Sequence, residues 1–259
     1  MIEESYNNIR TWYDAYVLEF SSEDSEIMIN IDLLKEHASR VLENVRELAL
    51  SVNLDESNLF LLQTAALLHD IGRFEQLVKH GTYADTEDSN HIQIGLNVIE
   101  EHMVLTGLEE DERQLVIDCV SLHDLSELPK ITDEHLLALI HLLRDADRID
   151  VLRIVSDYYT HKKVHPNRYL DMELKDMPAI AKKIGKAIMA EKVARREDVE
   201  TVNDLKLYQM SWVFDLNHKR SFKMISEKSY IKAIFETLPK NDSVIDMYRN
   251  MKIYMENQL

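Results

Sequence analysis

Between Ile29 and Leu50 the chain repeats apolar residues at steps of three and four positions, and this spacing constrains the fold most. Such a repeat gives a helix one apolar stripe, which has to be buried against other elements. Helix breakers are rare throughout the 259 residues, with only 5 Gly and 4 Pro, whereas good helix formers are plentiful. We therefore predict an all-α fold.

Further helical patterns follow along the chain, separated by polar segments. They cover residues 57–69, 91–107, 109–123, 133–155, 179–194, 202–216, 229–238 and 243–256. A loop is predicted over 79–90, whose last residues offer caps for the next helix. The polar stretch 161–178 contains two prolines and indicates a connection. We predict a helical domain with an N-terminal helix over residues 1–165 and a helical extension packed on it over 166–259, or one continuous domain.

The net charge of −17 makes long nucleic acids poor candidate partners, because proteins bind them through Lys and Arg. A small phosphorylated ligand remains compatible, since metal ions and local cations can reverse the potential inside one cleft. Cys119 is the only cysteine, so no intrachain disulfide forms. The N-terminus lacks signal-peptide features and no apolar run reaches the ~18 residues of a membrane span. We expect a cytoplasmic protein without a membrane partner; the sequence sets no oligomeric state.

Several ionisable residues fall at apolar helix positions, where burying them is costly unless they are hydrogen-bonded, paired or bound to metal. His69 and Asp70 close an apolar run, and His37 lies on the apolar stripe of the first helix. The apolar helix over 133–155 contains several acids near its middle. Its periodicity leaves open whether Asp145, Asp147 or Asp150 faces the same site as the histidines.

This order resembles the HD superfamily of metal-dependent phosphohydrolases, which presents a His, a His-Asp pair and a distant Asp inside Ala-Asp-Arg. The resemblance covers roughly residues 30–155 and implies a helical bundle, here with additional C-terminal helices. It assigns four residues to the metal: His37, His69, Asp70 and Asp147.

Two further histidines, His91 and His123, stand between Asp70 and Asp147 near predicted helix ends. They match the HD subset that adds two histidines and holds two metal ions, as in bacterial diadenosine tetraphosphate hydrolases and cyclic-di-nucleotide phosphodiesterases. That resemblance implies that Asp70 bridges the ions. The chain lacks the Gly-Tyr-Pro signature of the second group and is longer at its C-terminus than the first, so neither substrate carries over.

The implied ligands offer nitrogen and oxygen but no sulfur, which suits Fe, Mn, Co, Ni or Zn, with Mg less comfortable; we expect Fe or Mn. Two such ions lower the pKa of a bridging water from about 15.7 towards about 7, giving a hydroxide nucleophile. We predict hydrolysis of a phosphoester or phosphoanhydride in a small nucleotide-like substrate. Asp70 and Arg73 are the expected catalytic residues, and Arg73, Lys79 and Tyr83 the expected substrate contacts.

Two other functions remain compatible with the same ligand set. Some HD proteins with these six ligands are di-iron oxygenases that activate O₂. A non-catalytic sensor or binding module, in which the metal holds the helices together, is the third interpretation.

Overall fold

The computed structural model describes all 259 residues, which form two compact units, Met1–Asp147 and Arg148–Leu259. The fold is all-α, as the sequence predicts, and contains two isolated β-bridges but no sheet. No helix combines the length and the apolarity needed to cross a lipid bilayer. The predicted division after residue 165 stays a prediction.

The first unit is built from six complete helices and the first half of a seventh, which begin mostly at Asp or Asn caps. They are α1 (Glu3–Leu18), α2 (Ser25–Ser51), α3 (Glu56–Leu68), α4 (Ile71–His80), α5 (His91–Glu101), α6 (Glu110–Leu122) and α7 (Glu134–His161). Side chains of Asp24, Asp55 and Asn90 accept hydrogen bonds from backbone N–H groups in the first turns of α2, α3 and α5. These bonds satisfy donors that have no partner inside a helix.

Helix α3 is the central helix of this unit. Its residues from Leu61 to Leu68 are all at most 4% exposed, and α1, α2 and α6 pack around them. A helix that is apolar on every side is stable only when it is surrounded. The apolar run therefore carries His69 and Asp70, which follow it directly, to the edge of the core.

Helix α4 was missed by the sequence analysis, which placed no helix between Asp70 and the predicted loop. Ile71, Phe74 and Leu77 recur every three residues and are all at most 1% exposed, so a short helical signal was present. Gly81 ends the helix with φ of 62°, a left-handed conformation that glycine adopts without a steric penalty. The loop is therefore shorter than predicted.

Helix α5 ends at Glu101, well before the predicted end at Gly107. The reversal is made by Met103, which has φ of 50°, while Val104 N–H donates to the carbonyl of Ile99. This is the pattern of a Schellman ending, in which the left-handed residue is usually glycine. Because methionine occupies that position here, the true end of the helix carries no glycine signal.

The second unit contains the rest of α7 and five further helices, together with two short 3₁₀ turns at Arg196–Asp198 and Ser211–Asp215. The helices are α8 (Lys182–Met189), α9 (Val202–Met210), α10 (Lys219–Lys228), α11 (Tyr230–Glu236) and α12 (Asp242–Asn257). Helix α9 is buried along most of its length and begins with a capping box between Thr201 and Asp204. Helix α8 is shorter at both ends than the predicted 179–194, and α10 lies where no helix was predicted.

Candidate metal centre

The six residues predicted as metal ligands lie at helix ends and on inner helix faces of the first unit. They are His37 in α2, His69 and Asp70 between α3 and α4, His91 at the start of α5, His123 after α6, and Asp147 in α7. The four histidines are at most 4% exposed. The side chains of Asp70 and Asp147 keep 20% and 17% exposure, so solvent or a ligand reaches the centre through the carboxylates.

One group forms around His37 and His69, whose Nε2 atoms are 3.3 Å apart. Oδ1 of Asp147 lies 3.2 Å from Nε2 of His37 and 3.7 Å from that of His69. Oδ2 of Asp70 lies 3.7 and 3.8 Å from the same two nitrogens. The periodicity of α7 left its acids open, and in the structure Asp147 contacts both histidines.

The second group forms around His91 and His123, whose Nε2 atoms are 3.4 Å apart. Oδ1 of Asp70 lies 3.5 Å from Nε2 of His91 and 3.6 Å from Nε2 of His123. The two oxygens of one carboxylate thus face two different histidine pairs. Each pair with Asp70 forms a group whose donor atoms lie close enough to hold a metal ion.

Hydrogen bonds at the far side of the rings determine which nitrogens face the centre. Nδ1 of His69 bonds the carbonyl of Ala66, and Nδ1 of His123 bonds that of Val120. A carbonyl only accepts, so each Nδ1 carries a proton, and when the ring is neutral its Nε2 turns a lone pair inward. Nδ1 of His91 bonds the carboxylate of Asp85, so in the neutral rings of His91 and His123 two such lone pairs face each other at 3.4 Å and repel unless a cation lies between them. The donor set therefore fits divalent metal ions.

Both carboxylates of the centre stay ionised at neutral pH. Burial opposes the charge of Asp70, but the charge of His69 and a hydrogen bond from His123 hold its pKa well below the usual range. Burial also opposes the charge of Asp147, and hydrogen bonds from His37 and His69 hold its pKa below the usual range. The centre is therefore negative where it is open to solvent.

The two histidines of the second group differ in proton affinity. Burial, together with the charge of Arg73, lowers the pKa of His91. Burial acts in the same direction on His123, but the hydrogen bond and charge of Asp70 outweigh it and raise the pKa. His123 therefore holds a proton more tightly than His91 does, and a metal ion has to displace that proton in order to bind.

Asp85, in the loop between α4 and α5, orients His91 and was given no role by the sequence analysis. Its Oδ1 accepts hydrogen bonds from the backbone N–H of His91 at 2.9 Å and from Nδ1 of the same ring at 2.8 Å. Nε2 of Gln76, a fully buried residue, donates to that oxygen at 2.9 Å. Burial opposes the charge, but the hydrogen bond from His91 lowers the pKa of Asp85 to about 2. The carboxylate is therefore an acceptor that fixes the ring.

Arg73 lies beside the second group, among three carboxylates. Its Nε is 3.5 Å from Asp70, while Nη1 is 3.6 Å from Asp85 and Nη2 is 3.6 Å from Asp124. Asp85, His91 and Asp124 also lie close enough together to hold an ion. Because the guanidinium contacts both acids, this third group already has its cation.

The two other predicted substrate contacts lie at different places. Lys79, in the last turn of α4, is 63% exposed and its Nζ pairs with Glu75 at 2.7 Å. Tyr83 is half-buried, and its carbonyl accepts a hydrogen bond from Nη1 of Arg73 at 2.8 Å. The structure therefore joins Tyr83 to the centre through Arg73 and pairs Lys79 with its own helix.

Arg144 anchors the end of α6, which carries His123. The side chain is 1% exposed, and its Nη1 donates to the carbonyls of Leu122, His123 and Leu125 at 3.2, 2.7 and 2.8 Å. These carbonyls at the end of a helix have no partner within it. Since Arg144 lies one helical turn before Asp147, it ties the end of α6 to the middle of α7 beside the centre.

Replacing Arg144 with Met is expected to lower the free energy of unfolding by about 2 to 3 kcal/mol, because buried carbonyls lose a charged donor. Chemical denaturation at neutral pH measures the change. Arg144→Lys, which keeps one charged donor, is the matched variant and is expected to lose less. Equal stability of Arg144→Met and the unmodified chain would contradict the anchoring role.

Together, the helical architecture and the convergent imidazoles and carboxylates define an all-α protein with a candidate metal centre. The model of the HD domain family matches residues 34–155, a segment that contains all six of these residues and just under half of the chain. Residues 34–155 therefore match the HD domain, a class made up generally of metal-dependent hydrolases. No curated protein and no solved structure matches the chain significantly.

Proposed function

We propose that this chain is a metal-dependent phosphohydrolase that cleaves a phosphoester or phosphoanhydride bond of a small, nucleotide-like molecule. Two divalent ions, iron or manganese, are its cofactors. His37, His69, Asp147 and one oxygen of Asp70 hold one ion. The other is held by His91, His123 and the second oxygen of Asp70.

The observation that carries this proposal is the position of Asp70 between the two histidine pairs. Its Oδ2 faces the pair His37 and His69, and its Oδ1 faces the pair His91 and His123. A carboxylate can donate one oxygen to each of two ions. The HD domain match supports the hydrolytic class, and the nitrogen and oxygen donors support iron or manganese.

When bound, two neighbouring divalent ions supply Lewis acidity, which lowers the pKa of water and balances charge on a phosphoryl group. Arg73 supplies hydrogen-bond donors for a phosphate oxygen. Its Nη2 faces Asp124, whose side chain is 47% exposed, so a phosphate oxygen can replace that carboxylate as its partner. Tyr83 and Lys79 are proposed as further substrate contacts at the loop between α4 and α5.

Metal analysis coupled to hydrolysis assays tests this function. Protein purified with and without oxygen is expected to hold two equivalents of metal, and one or none after His91→Ala or His123→Ala. Mononucleotides, dinucleoside polyphosphates and phosphodiesters are then assayed with Mn²⁺ and with Fe²⁺. Hydrolysis of one class, supported by both metals, is the expected result.

The competing functions give different results in the same assays. A di-iron oxygenase consumes O₂ during turnover, and Mn²⁺ does not replace iron in it. A non-catalytic module unfolds when the metal is removed and hydrolyses none of the substrates after Mn²⁺ or Fe²⁺ is restored. Either pattern would overturn the proposal.

Asp85→Ala is expected to weaken binding of the ion at His91 and His123 by about 10- to 100-fold, since it removes the acceptor that orients His91. Isothermal titration calorimetry of metal-free protein with metal measures both affinities. Binding at the group around His37 is expected to change much less. Asp85→Asn keeps an acceptor oxygen and should recover part of the affinity.

Asp88→Ala is the matched control, because Asp88 is an exposed acid of the same loop. It should leave both affinities unchanged. If Asp85→Ala lowered the affinity for both ions equally, or for neither, Asp85 would not position His91 as proposed.

A further inference from the structure

A cavity of about 240 Å³ lies between α1 and α2, both of which border it along one face. Its floor is Leu67 of the central helix α3, and Val17, Ala38 and Leu42 form apolar walls. These four residues are at most 5% exposed. A space of this size is smaller than most drug-sized ligand pockets and suits one or two fused rings or a short acyl chain.

The polar residues around the cavity carry more positive than negative charge. Arg10 and Lys35 line it together with a single acid, Asp14. Asp14 pairs with Arg10 at 3.1 Å, whereas Lys35 has only a loose contact of 3.7 Å with Asp32, which is 64% exposed. Lys35 is therefore the lining cation that an anion can reach, because its acidic partner is distant and solvated whereas Arg10 is held by Asp14.

The cavity also lies next to the metal centre along two helices. Ala38 directly follows His37, and Leu67 comes two residues before His69. Tyr13, a buried residue of α1, lines the cavity. Burial raises its pKa, and the charge of Asp70 raises it further, so Tyr13 is within electrostatic reach of the centre. α1 lies outside residues 34–155, so the family match does not account for this cavity.

We propose that the cavity between α1 and α2 is a binding site for a small amphipathic anion. The apolar body of the ligand fills the space over Leu67, and its anionic group contacts Lys35 at the rim. The surface of the cavity is mostly apolar, which does not favour a sugar. The site does not depend on the hydrolytic function, because it uses none of the six candidate ligands.

Naphthalene-2-sulfonate is a suitable probe, since it combines two fused rings with an anion that binds metal ions weakly. Calorimetric titration of the full chain is expected to show one molecule bound per chain. Sulfate alone, which lacks the rings, should not bind. Naphthalene-2-methanol, which lacks the charge, should bind about tenfold more weakly.

Ser39→Phe fills the cavity from an exposed position of α2 and should weaken binding of the probe by about tenfold or more. Glu36→Phe adds the same ring at an exposed position of α2 that does not line the cavity, and should leave the affinity unchanged. Lys35→Met removes the rim cation and should also weaken binding. Leu18→Asp adds a negative charge at an exposed lining residue and provides an independent test of the rim.

Equal affinity of Ser39→Phe and Glu36→Phe for the probe would overturn the proposed site. An affinity that neither Lys35→Met nor Leu18→Asp changes would also overturn it. Thermal unfolding of each variant confirms that it is folded. Loss of hydrolysis or of metal in any preparation does not alter these outcomes, so this proposal and the proposed function fail separately.

Discussion

Asp70→Asn is expected to lower metal-dependent hydrolysis by at least about a thousandfold and to reduce the bound metal from two equivalents to one or none. The amide has the same size as the carboxylate but no charge. It cannot offer an anionic oxygen to both His37 with His69 and His91 with His123. Steady-state rates at saturating Mn²⁺, together with elemental analysis, measure both effects.

Asp88→Asn makes the same chemical change at an exposed acid outside the centre and is expected to leave rate and metal content unchanged. Circular dichroism should show that Asp70→Asn retains its helices. A folded Asp70→Asn protein that still held two ions and kept its rate would remove Asp70 from the bridging role.

Gly72→Ala is expected to lower the free energy of unfolding by about 3 kcal/mol, the upper range for overpacking. A Cβ atom at Gly72 would lie 2.1 Å from the carbonyl oxygen of His91 and 2.5 Å from the amide nitrogen of Gly95. These are backbone atoms, so α4 and α5 would have to separate. The helix preference of alanine, up to about 1 kcal/mol, is too small to offset that.

The control for this substitution is Gly107→Ala, since a Cβ there meets nothing within 4 Å and the backbone is not left-handed. It should be neutral or stabilise the chain by less than about 1 kcal/mol. Denaturant unfolding compares the two variants. Because α5 begins at His91, Gly72→Ala should also weaken metal binding by His91 and His123. A variant that is as stable as the unmodified chain and binds two ions tightly would contradict the close packing of α4 and α5.

The elements that could be predicted are those with long periodic patterns. α2 and α7 have many turns of apolar repeats; α2 appears within four residues of its predicted bounds, whereas α7 begins as predicted but continues to His161. The apolar run of α3 indicated its burial in the same way. Short elements such as α4 and α10 carry two or three apolar turns, so their signal was too weak to separate from loops.

The positions that anchor the site were not predictable, because their partners are distant in sequence or lie in loops. Asp85 is one acid among several in its loop, and only the packing of α4 against α5 places it against the ring of His91. In the sequence, Arg144 is one of several charged residues between 144 and 148, and nothing in that pattern indicates a buried role. Its role depends on the end of α6, about twenty residues away.

The sequence by itself determined the helical class, through the scarcity of helix breakers and the three- and four-residue spacing, and the set of imidazoles and carboxylates available to a centre. Periodicity is a local property, so it can be counted along the chain. Only the tertiary structure decided that Asp147 contacts His37 and His69, that Asp70 faces two histidine pairs, and that Asp85 fixes His91. Those contacts join residues from separate helices, and their distances depend on how the helices pack.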